Sequence, residues 1–303
     1  MPNATTTDDL AELVGAALDA GDAEASVHVR EVGGEEGFAL EADRPVVSAS
    51  TFKILVLLEF ACQVAEGRLS ASTRIRVTPA DHTLGPTGLS VVQDDVEMSA
   101  RDLAMLMMQI SDNTATDVVQ RLVGTEAVAR RVAGLGLTAT VVEGDCRELL
   151  AMVAEELGVD LGTDVYALTD EDLAAAVATS PSLQAQRGNR TTAREMTTLL
   201  DLIWRDAAGP AEACAQVRRV MGLQHAPHRL STAYGDGPVI SAKTGTLVGG
   251  IRNEVGVFDF GGGERYAVAV FLRAGRLGMR NPVADRAIGD VARIVLDRMR
   301  ATT

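Results

Sequence analysis

The strand pattern of the last hundred residues constrains the fold of this 303-residue chain more than any other feature. The segments PVISAKTGT, IRNEVGVFDF and RYAVAVFLR read as strands, and GGGERY between the last two predicts a hairpin. A helix, ADRAIGDVARIVLDRM, follows them. Near the start, a helix at 8–20 precedes the alternating segment ASVHVREV (25–32), and FALEAD is its candidate hairpin partner. Strands therefore come from both ends of the chain.

The middle of the chain is predominantly helical. Apolar residues recur at helical spacing from Ser50 to about Leu122, and SARDLAMLMMQI (99–110) carries Ser99 as a candidate N-cap. TTAREMTTLLDLIW (191–204) is another amphipathic helix, whereas GVDLGTDVYALTDEDL (158–173) predicts a loop or short insertion. This order suits an antiparallel sheet made by both chain ends, with helices packed on it and a helical lobe inserted between them.

Composition excludes several classes of protein. A net charge of −14 argues against a nucleic-acid partner, because a phosphate backbone requires a basic face. The three cysteines are far apart, which predicts neither a zinc site nor a disulfide framework, and we expect no metal or cofactor. The longest apolar run is too short to span a bilayer, so no membrane association is expected. The first 21 residues lack the features of a secretory signal, which predicts a cytoplasmic protein, or a secreted one if a leader has been removed.

Lysine is almost absent from this chain. There are 26 arginines but two lysines, Lys53 and Lys243. Arginine is effectively never deprotonated, whereas a buried lysine can lose its proton and act as a base. Lys53 follows Ser50 by three residues, and a serine hydroxyl needs a neighbouring base to become a nucleophile. Ser-x-x-Lys alone is common, however, and an ordinary helix cap is an equally good interpretation.

Two further motifs follow along the chain. Ser111-Asp112-Asn113 comes directly after the helix at 99–110, and Lys243-Thr244-Gly245 ends a predicted strand. Each is unremarkable by itself, as a helix end or a strand end. Together, S-x-x-K, S-D-N and K-T-G in that order resemble the class A β-lactamases and penicillin-binding proteins. SDNTATDVV and NRTTAREMTTLL also resemble that superfamily, and the likeness extends over roughly the whole chain.

The resemblance implies a fold, a division and residue roles. The fold would be an α/β (α+β) three-layer β-lactamase-like fold with a five-stranded antiparallel sheet. Residues 1–48 and 225–303 would form the α/β lobe, and 49–224 the mainly helical lobe. Ser50 would be the nucleophile, Lys53 its base or proton relay, and Ser111 the proton donor to the leaving nitrogen. The substrate would be a small molecule that carries a carboxylate. The backbone N–H groups of Ser50 and Thr246 would form the oxyanion hole. The other groups that would hold the substrate are Asn113, Lys243, Thr244 and Arg252.

The chain departs from class A enzymes at the omega loop. The E-x-x-L-N pattern, whose glutamate activates the deacylating water, does not occur here. By location the candidates for that role are Glu148, Glu155, Glu156 and Glu171, although each is more simply a solvated helix face. Three functions follow from this: a hydrolase that opens a β-lactam or related amide through acyl-Ser50, the same chemistry on an ester, peptide or acyl acceptor, and an acylating or binding module without turnover.

Overall fold

The computed structural model describes residues 7–34, 36–160, 168–235 and 237–301. The strands in these ranges are β1 (Ala23–Glu31), β2 (Glu36–Leu40), β3 (Val46–Val47), β4 (Arg74–Val77), β5 (Val96–Ser99), β6 (Arg190–Thr191), β7 (Val239–Leu247), β8 (Ile251–Gly261) and β9 (Glu264–Ala274). The helices are α1 (Thr7–Ala20), α2 (Lys53–Ala65), α3 (Ala100–Gln109), α4 (Asn113–Val123), α5 (Thr125–Gly134), α6 (Cys146–Leu157), α7 (Asp170–Thr179), α8 (Ala193–Trp204), α9 (Ala211–Met221) and α10 (Pro282–Arg300).

A five-stranded antiparallel sheet of order β2-β1-β9-β8-β7 forms the centre of the fold. This confirms the predicted sheet from both chain ends. The predicted GGG hairpin joins β8 to β9 through Gly261, Gly262 and Gly263, whose φ angles are +87°, +63° and +97°. Three consecutive left-handed residues explain the glycine run, because a Cβ at these φ values is strained. The short pairs β3–β6 and β4–β5 lie outside the main sheet.

Helices cover both faces of the sheet, which gives the three layers. On one face, α1 and α10 pack together and bury an apolar cluster with β1 and β9 that includes Val14, Val27, Val268, Val270 and Val291. On the other face, α2, α8 and α9 bury a larger cluster that takes in Val255, Ala269 and Phe271 of the sheet. Helix α2 is buried on all sides from Lys53 to Gln63, so it forms the axis of the helical layer.

Helix boundaries follow local capping chemistry. Ser99 Oγ accepts the N–H of Asp102 at the start of α3, and Thr192 Oγ1 accepts that of Glu195 at the start of α8. The loop predicted over 158–173 is partly wrong, because α7 begins at Asp170. Acidic residues in a first helical turn are favoured by the helix dipole, and DED opens α7. Residues 161–167 of that prediction lie outside the described residues.

The predicted division into lobes at 49 and 225 stays a prediction. Within the described ranges, no helix combines the length and the apolar character needed to cross a membrane.

Candidate active site

Ser50 lies in a single 3-10 turn, Ala49–Phe52, that leads directly into α2. The N–H and Oγ1 of Thr51 both donate to Ser48 O, at 3.1 and 2.8 Å, and close the turn. Ala49 has a φ of +44°, a left-handed conformation that costs a residue with a Cβ roughly 1 kcal/mol or more. Surrounding contacts must therefore hold this turn in place. Lys53 follows one turn after Ser50 and is wholly buried.

The Lys53 side chain joins the nucleophile turn to the S-D-N motif. Its Nζ donates to Ser111 O at 2.8 Å, Ser111 Oγ at 3.3 Å and Asn113 Oδ1 at 2.8 Å. Burial lowers the pKa of Lys53, and the carboxylates of Asp117 and Asp112 oppose that change only in part. The structure thus gives Lys53 both a tendency to lose its proton and a hydroxyl partner to exchange it with.

Within the S-D-N motif, Asp112 has a different role from Ser111 and Asn113. Ser111 is left-handed, with φ +59°, at the break between α3 and α4. Asp112 is buried and caps α4 by accepting the N–H of Ala115, while its other oxygen accepts the N–H of Leu89. Asn113 Nδ2 donates to Leu84 O at 2.6 Å, which ties the loop at 82–90 to Lys53. Asp112 therefore supports the loop, and its two neighbours both accept hydrogen bonds from Lys53.

Strand β7 passes the nucleophile turn in very close contact. A Cβ placed on Gly245 would stand 2.9 Å from Ser48 O and 3.1 Å from Ser50 N. Only a residue without a side chain fits between these backbones, and this explains the glycine of K-T-G. The contact brings Thr246 beside Ser50, and both residues line the same cavity.

Lys243 is the second wholly buried lysine. Its Nζ donates to Thr244 O at 2.9 Å. Burial takes the pKa of Lys243 well below its usual value, the charge of Lys53 lowers it further, and Glu254 opposes both. Glu254 is itself fully buried, bound by Gln224 Nε2 at 2.7 Å and by the N–H of Leu230 at 2.6 Å. Lys243 thus sits in a low-dielectric site next to a buried carboxylate.

Arg252 lies opposite Thr246 in the β7–β8 register, but its guanidinium is engaged elsewhere. Nε and Nη2 of Arg252 bind the two oxygens of Asp285, each at 2.8 Å. A different arginine reaches Thr246: Arg229 Nη2 donates to Thr246 Oγ1 at 2.6 Å, and Arg229 Nε donates to Asp285 Oδ1 at 2.7 Å. Arg229 was not predicted from the sequence. It stands in HAPHRL without any motif, so the one available signal was its closeness to K-T-G along the chain.

Asp285 of α10 therefore accepts hydrogen bonds from two arginines, Arg229 and Arg252. Burial works to raise the pKa of Asp285, but the hydrogen bonds from Arg252 and the charge of Arg229 hold it below its usual value. Removal of one partner from such a buried group leaves the others uncompensated, at a cost of about 3–5 kcal/mol. This cluster anchors Arg229 where it meets the K-T-G strand.

A cavity of about 80 Å³ opens beside Ser50. Asn189, the first residue of the NRTTAREMTTLL segment but not a predicted site residue, forms part of its wall and links two segments. Its backbone oxygen accepts the N–H of Ser48 at 3.1 Å, and its Oδ1 accepts the N–H groups of Glu143 and Gly144 at 2.7 and 3.1 Å. Asn189 thereby fixes the segment before α6 against the nucleophile turn.

Cys146, the first residue of α6, faces this cavity. The carboxylate of Asp117 accepts the N–H of Cys146 at 2.7 Å and that of Arg147 at 3.0 Å, and so holds the start of α6. Burial raises the pKa of the Cys146 thiol to about 12, with Lys53 opposing and Asp117 adding to the change. The thiol is therefore protonated at neutral pH. Nothing in the sequence marks Cys146, because 96 positions separate it from Ser50.

None of the four glutamates proposed by location is among the described residues that line the cavity. Glu148 closes a capping box with Asp145, and Glu155 and Glu171 are exposed. Glu156 accepts hydrogen bonds from Ser180 and Ser182 and pairs with Arg187. Among the described residues that line the cavity there is no carboxylate.

Comparisons with known proteins agree with this fold. A β-lactamase regulatory protein, BlaB, from Streptomyces cacaoi is 29% identical over 307 aligned positions, which cover 94% of this chain and 95% of BlaB. The β-lactamase of Sphaerobacter thermophilus DSM 20745 has a TM-score of 0.77 at 25% identity and 98% coverage of both chains. PBP-A shares the fold, with a TM-score of 0.75 at 20% identity and 96% coverage of both chains. A family model described as the beta-lactamase enzyme family matches residues 6–299. The chain therefore belongs to the beta-lactamase enzyme family.

Proposed function

We propose that this protein reacts through Ser50 with a small, carboxylated β-lactam or related amide to form an acyl-enzyme. Membership of the family and the fold support a serine-hydrolase type of function. The observation that carries the proposal is the three-way contact of the Lys53 amine with Ser111 and Asn113, within the site that holds Ser50. A base, a proton relay and a nucleophile are the parts that acyl transfer requires.

The chemistry assigns each residue a task. Neutral Lys53 takes the proton of Ser50 Oγ as that oxygen bonds to the substrate carbonyl carbon. The N–H groups of Ser50 and Thr246 stabilise the oxyanion, a contribution of a few kcal/mol. As the C–N bond breaks, Ser111 gives its proton to the nitrogen and regains one from protonated Lys53. Asn113 positions substrate and loop. A substrate carboxylate raises the lowered pKa of Lys243, so that Lys243 is protonated in the complex and, with Thr244 and the arginines beside it, supplies positive potential.

Two buried arginines act on the substrate carboxylate through their charge in this proposal. Arg252 was predicted to contact the substrate carboxylate, but its guanidinium is bound to Asp285 and to Met279 O, so we propose that it acts as a source of positive potential instead. Arg229 joins it, because its guanidinium already holds Thr246 Oγ1. Asp285 partly balances both charges, and the buried Glu254 carboxylate also acts on Arg229.

A second candidate, acylation without efficient turnover, is favoured by the absence of a carboxylate from the described lining of the Ser50 cavity. Hydrolysis of an acyl-serine needs a base to activate water. The Cys146 thiol, protonated at neutral pH, is a poor base. The name of BlaB describes a regulatory protein, and a long-lived acyl-serine suits a sensor better than a degrading enzyme.

Intact-protein mass spectrometry with benzylpenicillin, run beside turnover of a chromogenic cephalosporin, tests both candidates. A persistent adduct of one penicillin per chain supports the sensor, and rapid colour change without an adduct supports the hydrolase. The Ser50→Ala variant must lose both signals, whereas Ser72→Ala, an exposed serine far from the site, must keep them. An activated ester that labels Ser50 when penicillin does not would move the substrate class to esters or peptides. Unchanged labelling in Ser50→Ala would refute the nucleophile.

A further inference from the structure

A second cavity lies behind the segment that leads to Ser50. We call it the rear cavity, and its volume is about 390 Å³, against about 80 Å³ beside Ser50. Small-molecule sites in proteins are typically clefts of about 300–1,000 Å³. The rear cavity is therefore large enough for a ligand of its own. Residues from the sheet, from the β3 segment and from the turn at 184–186 line it, including Arg44, Val46, Val47, Ile251, Phe271 and Arg273.

The lining combines an apolar floor with two arginines. Ile251 and Phe271 are almost fully buried in the sheet. Arg273 donates to Gly249 O and Leu183 O, which fixes its guanidinium at the wall. Burial lowers the pKa of Arg273, and the nearby charge of Arg44 lowers it further, as expected for two cations that share one space.

The protein contacts of Arg44 are weak, so its guanidinium is able to bind an anion. Its Nε donates to Ser26 Oγ at 3.2 Å, and its ion pair with Glu24 is long, 4.0 Å, with the Glu24 side chain 82% exposed. An exposed pair of this kind contributes little, from nothing to about 1 kcal/mol. In a chain of net charge −14, a cavity with two arginines and one loosely paired glutamate is a local positive site.

The rear cavity is connected to the nucleophile turn. Val47 lines both cavities. Asn253, in the wall of the rear cavity, donates from Nδ2 to Val47 O at 2.8 Å and to Ser48 O at 3.3 Å. Ser48 O is the acceptor that closes the turn of Ser50. A ligand that contacts Val47 or Asn253 therefore acts on the backbone two to three residues before the nucleophile.

We infer that the rear cavity is a second ligand site, for a small amphiphilic anion with an apolar body, and that its occupant alters the rate at which Ser50 is acylated. The anionic head lies between Arg44 and Arg273, and the body covers Phe271 and Ile251. The effect on acylation rests on the proposed function, whereas binding does not.

Binding is tested by fluorescence titration with 8-anilinonaphthalene-1-sulfonate, against N-phenyl-1-naphthylamine, which has the same aromatic body without the sulfonate. We expect saturable one-to-one binding of the sulfonate and a Kd at least roughly tenfold weaker for the neutral probe, since a charge-assisted hydrogen bond is lost. Arg44→Gln and Arg273→Gln should each raise the Kd of the sulfonate probe by roughly tenfold. Arg74→Gln, an exposed arginine of β4 that removes the same charge, should leave the Kd unchanged.

The outcomes separate the two parts of the inference. Non-saturable binding, or a Kd that neither Arg44→Gln nor Arg273→Gln changes, overturns the site; Arg44→Gln decides alone if Arg273→Gln does not fold. The second measurement is the rate of Ser50 labelling by a fluorescent penicillin, with and without saturating sulfonate. A change of at least threefold that Arg44→Gln abolishes supports the coupling, and an unchanged rate overturns it. If penicillin labels nothing, the proposed function fails while the binding result still decides the site.

Discussion

At the scale of single residues, Lys53 shows why this arginine-rich chain keeps a lysine. The side chain is wholly buried and its hydrogen bonds reach Ser111 and Asn113. An arginine there would keep the positive charge and remain a hydrogen-bond donor, but it would not release a proton. A substitution at position 53 can therefore separate the effect of the positive charge from the effect of the lysine's ability to accept a proton.

We predict that Lys53→Arg lowers the rate of Ser50 acylation by about 10²–10⁴-fold, the usual contribution of a general base. The wild-type rate should rise with pH as buried Lys53, whose pKa is lowered, loses its proton. The variant should lack that rise. The measurement is the second-order rate of labelling by a fluorescent penicillin across pH, with circular dichroism to show that the variant is folded. A variant with an unchanged rate and pH profile would remove Lys53 from the role of base.

Cys146 is the residue from which a base could act on acyl-Ser50. We predict that Cys146→Glu shortens the life of the penicillin adduct by about 10²-fold or more, because it places a carboxylate in the cavity beside Ser50. Cys146→Ser should leave the lifetime near that of the wild type, since a neutral hydroxyl does not act as a base.

The control for position is Leu149→Glu, which adds a carboxylate to the same helix and the same cavity wall. Adduct decay is followed by intact mass after removal of free penicillin. Equal acceleration in Leu149→Glu and Cys146→Glu would contradict a special role for position 146.

At the scale of elements, the fit between β7 and the turn of Ser50 depends on the absence of one side chain. We predict that Gly245→Ala forces the two backbones apart, since its Cβ would lie 2.9 Å from Ser48 O. Overpacking of this kind costs about 1–3 kcal/mol of stability, and the separation of the Ser50 and Thr246 N–H groups should slow acylation by at least about tenfold.

Gly15→Ala is the matched control for that substitution. Gly15 lies within α1, where an added Cβ meets nothing within 4 Å, so this change should stabilise the protein by about 0.5–1 kcal/mol and leave acylation unchanged. Urea unfolding and the labelling rate are measured for both variants. Normal acylation in Gly245→Ala would show that the turn tolerates a wider gap.

The contact of α10 with the sheet depends on Asp285 and its two arginines. The pKa of Asp285 is lower in the folded chain than its ordinary 3.8, so the unfolded state binds more protons in acid and stability rises with pH. The contribution is complete above about pH 5 and is lost as the pH falls through the folded pKa.

We predict that Asp285→Asn lowers the free energy of unfolding at pH 7 by about 3–5 kcal/mol and flattens the loss of stability in acid. Asp290→Asn, on the same helix but in long surface pairs of 3.8 Å with Arg286 and Arg293, should change stability by less than about 1 kcal/mol. Thermal melts from pH 3 to pH 8 give both quantities. An equal loss of stability between pH 5 and pH 3 in the wild type and in Asp285→Asn would contradict this account.

At the scale of the whole molecule, sequence patterns predict the elements better than the site. Alternation and the GGG turn predict β8 and β9, and the helical periods predict α3 and α8, because each signal is local. Arg229 and Cys146 carry no local signal, and Asn189 is marked only as the first residue of NRTTAREMTTLL, since the contacts of all three join segments that are distant along the chain. The three motifs identify Ser50, Lys53, Ser111 and Lys243 through resemblance, but the bidentate pair of Arg252 with Asp285 depends on where α10 packs.

The burial of Lys53 and Lys243 has a consequence for proteolysis. Both side chains are 0% exposed, so a lysine-specific endoprotease has no accessible target in the folded protein. Its cuts require the segments around Lys53 and Lys243 to unfold, and the cleavage rate therefore reports the free energy of that unfolding. We expect slow cleavage of the native chain and rapid cleavage in urea, with further protection once Ser50 is acylated.

The rate of cleavage by the lysine-specific protease thus measures how often this one region unfolds. The control is an arginine-specific protease, whose many exposed sites would report general loop motion instead. Fast native cleavage after Lys53 or Lys243 would mean that the site opens far more often than the rest of the core.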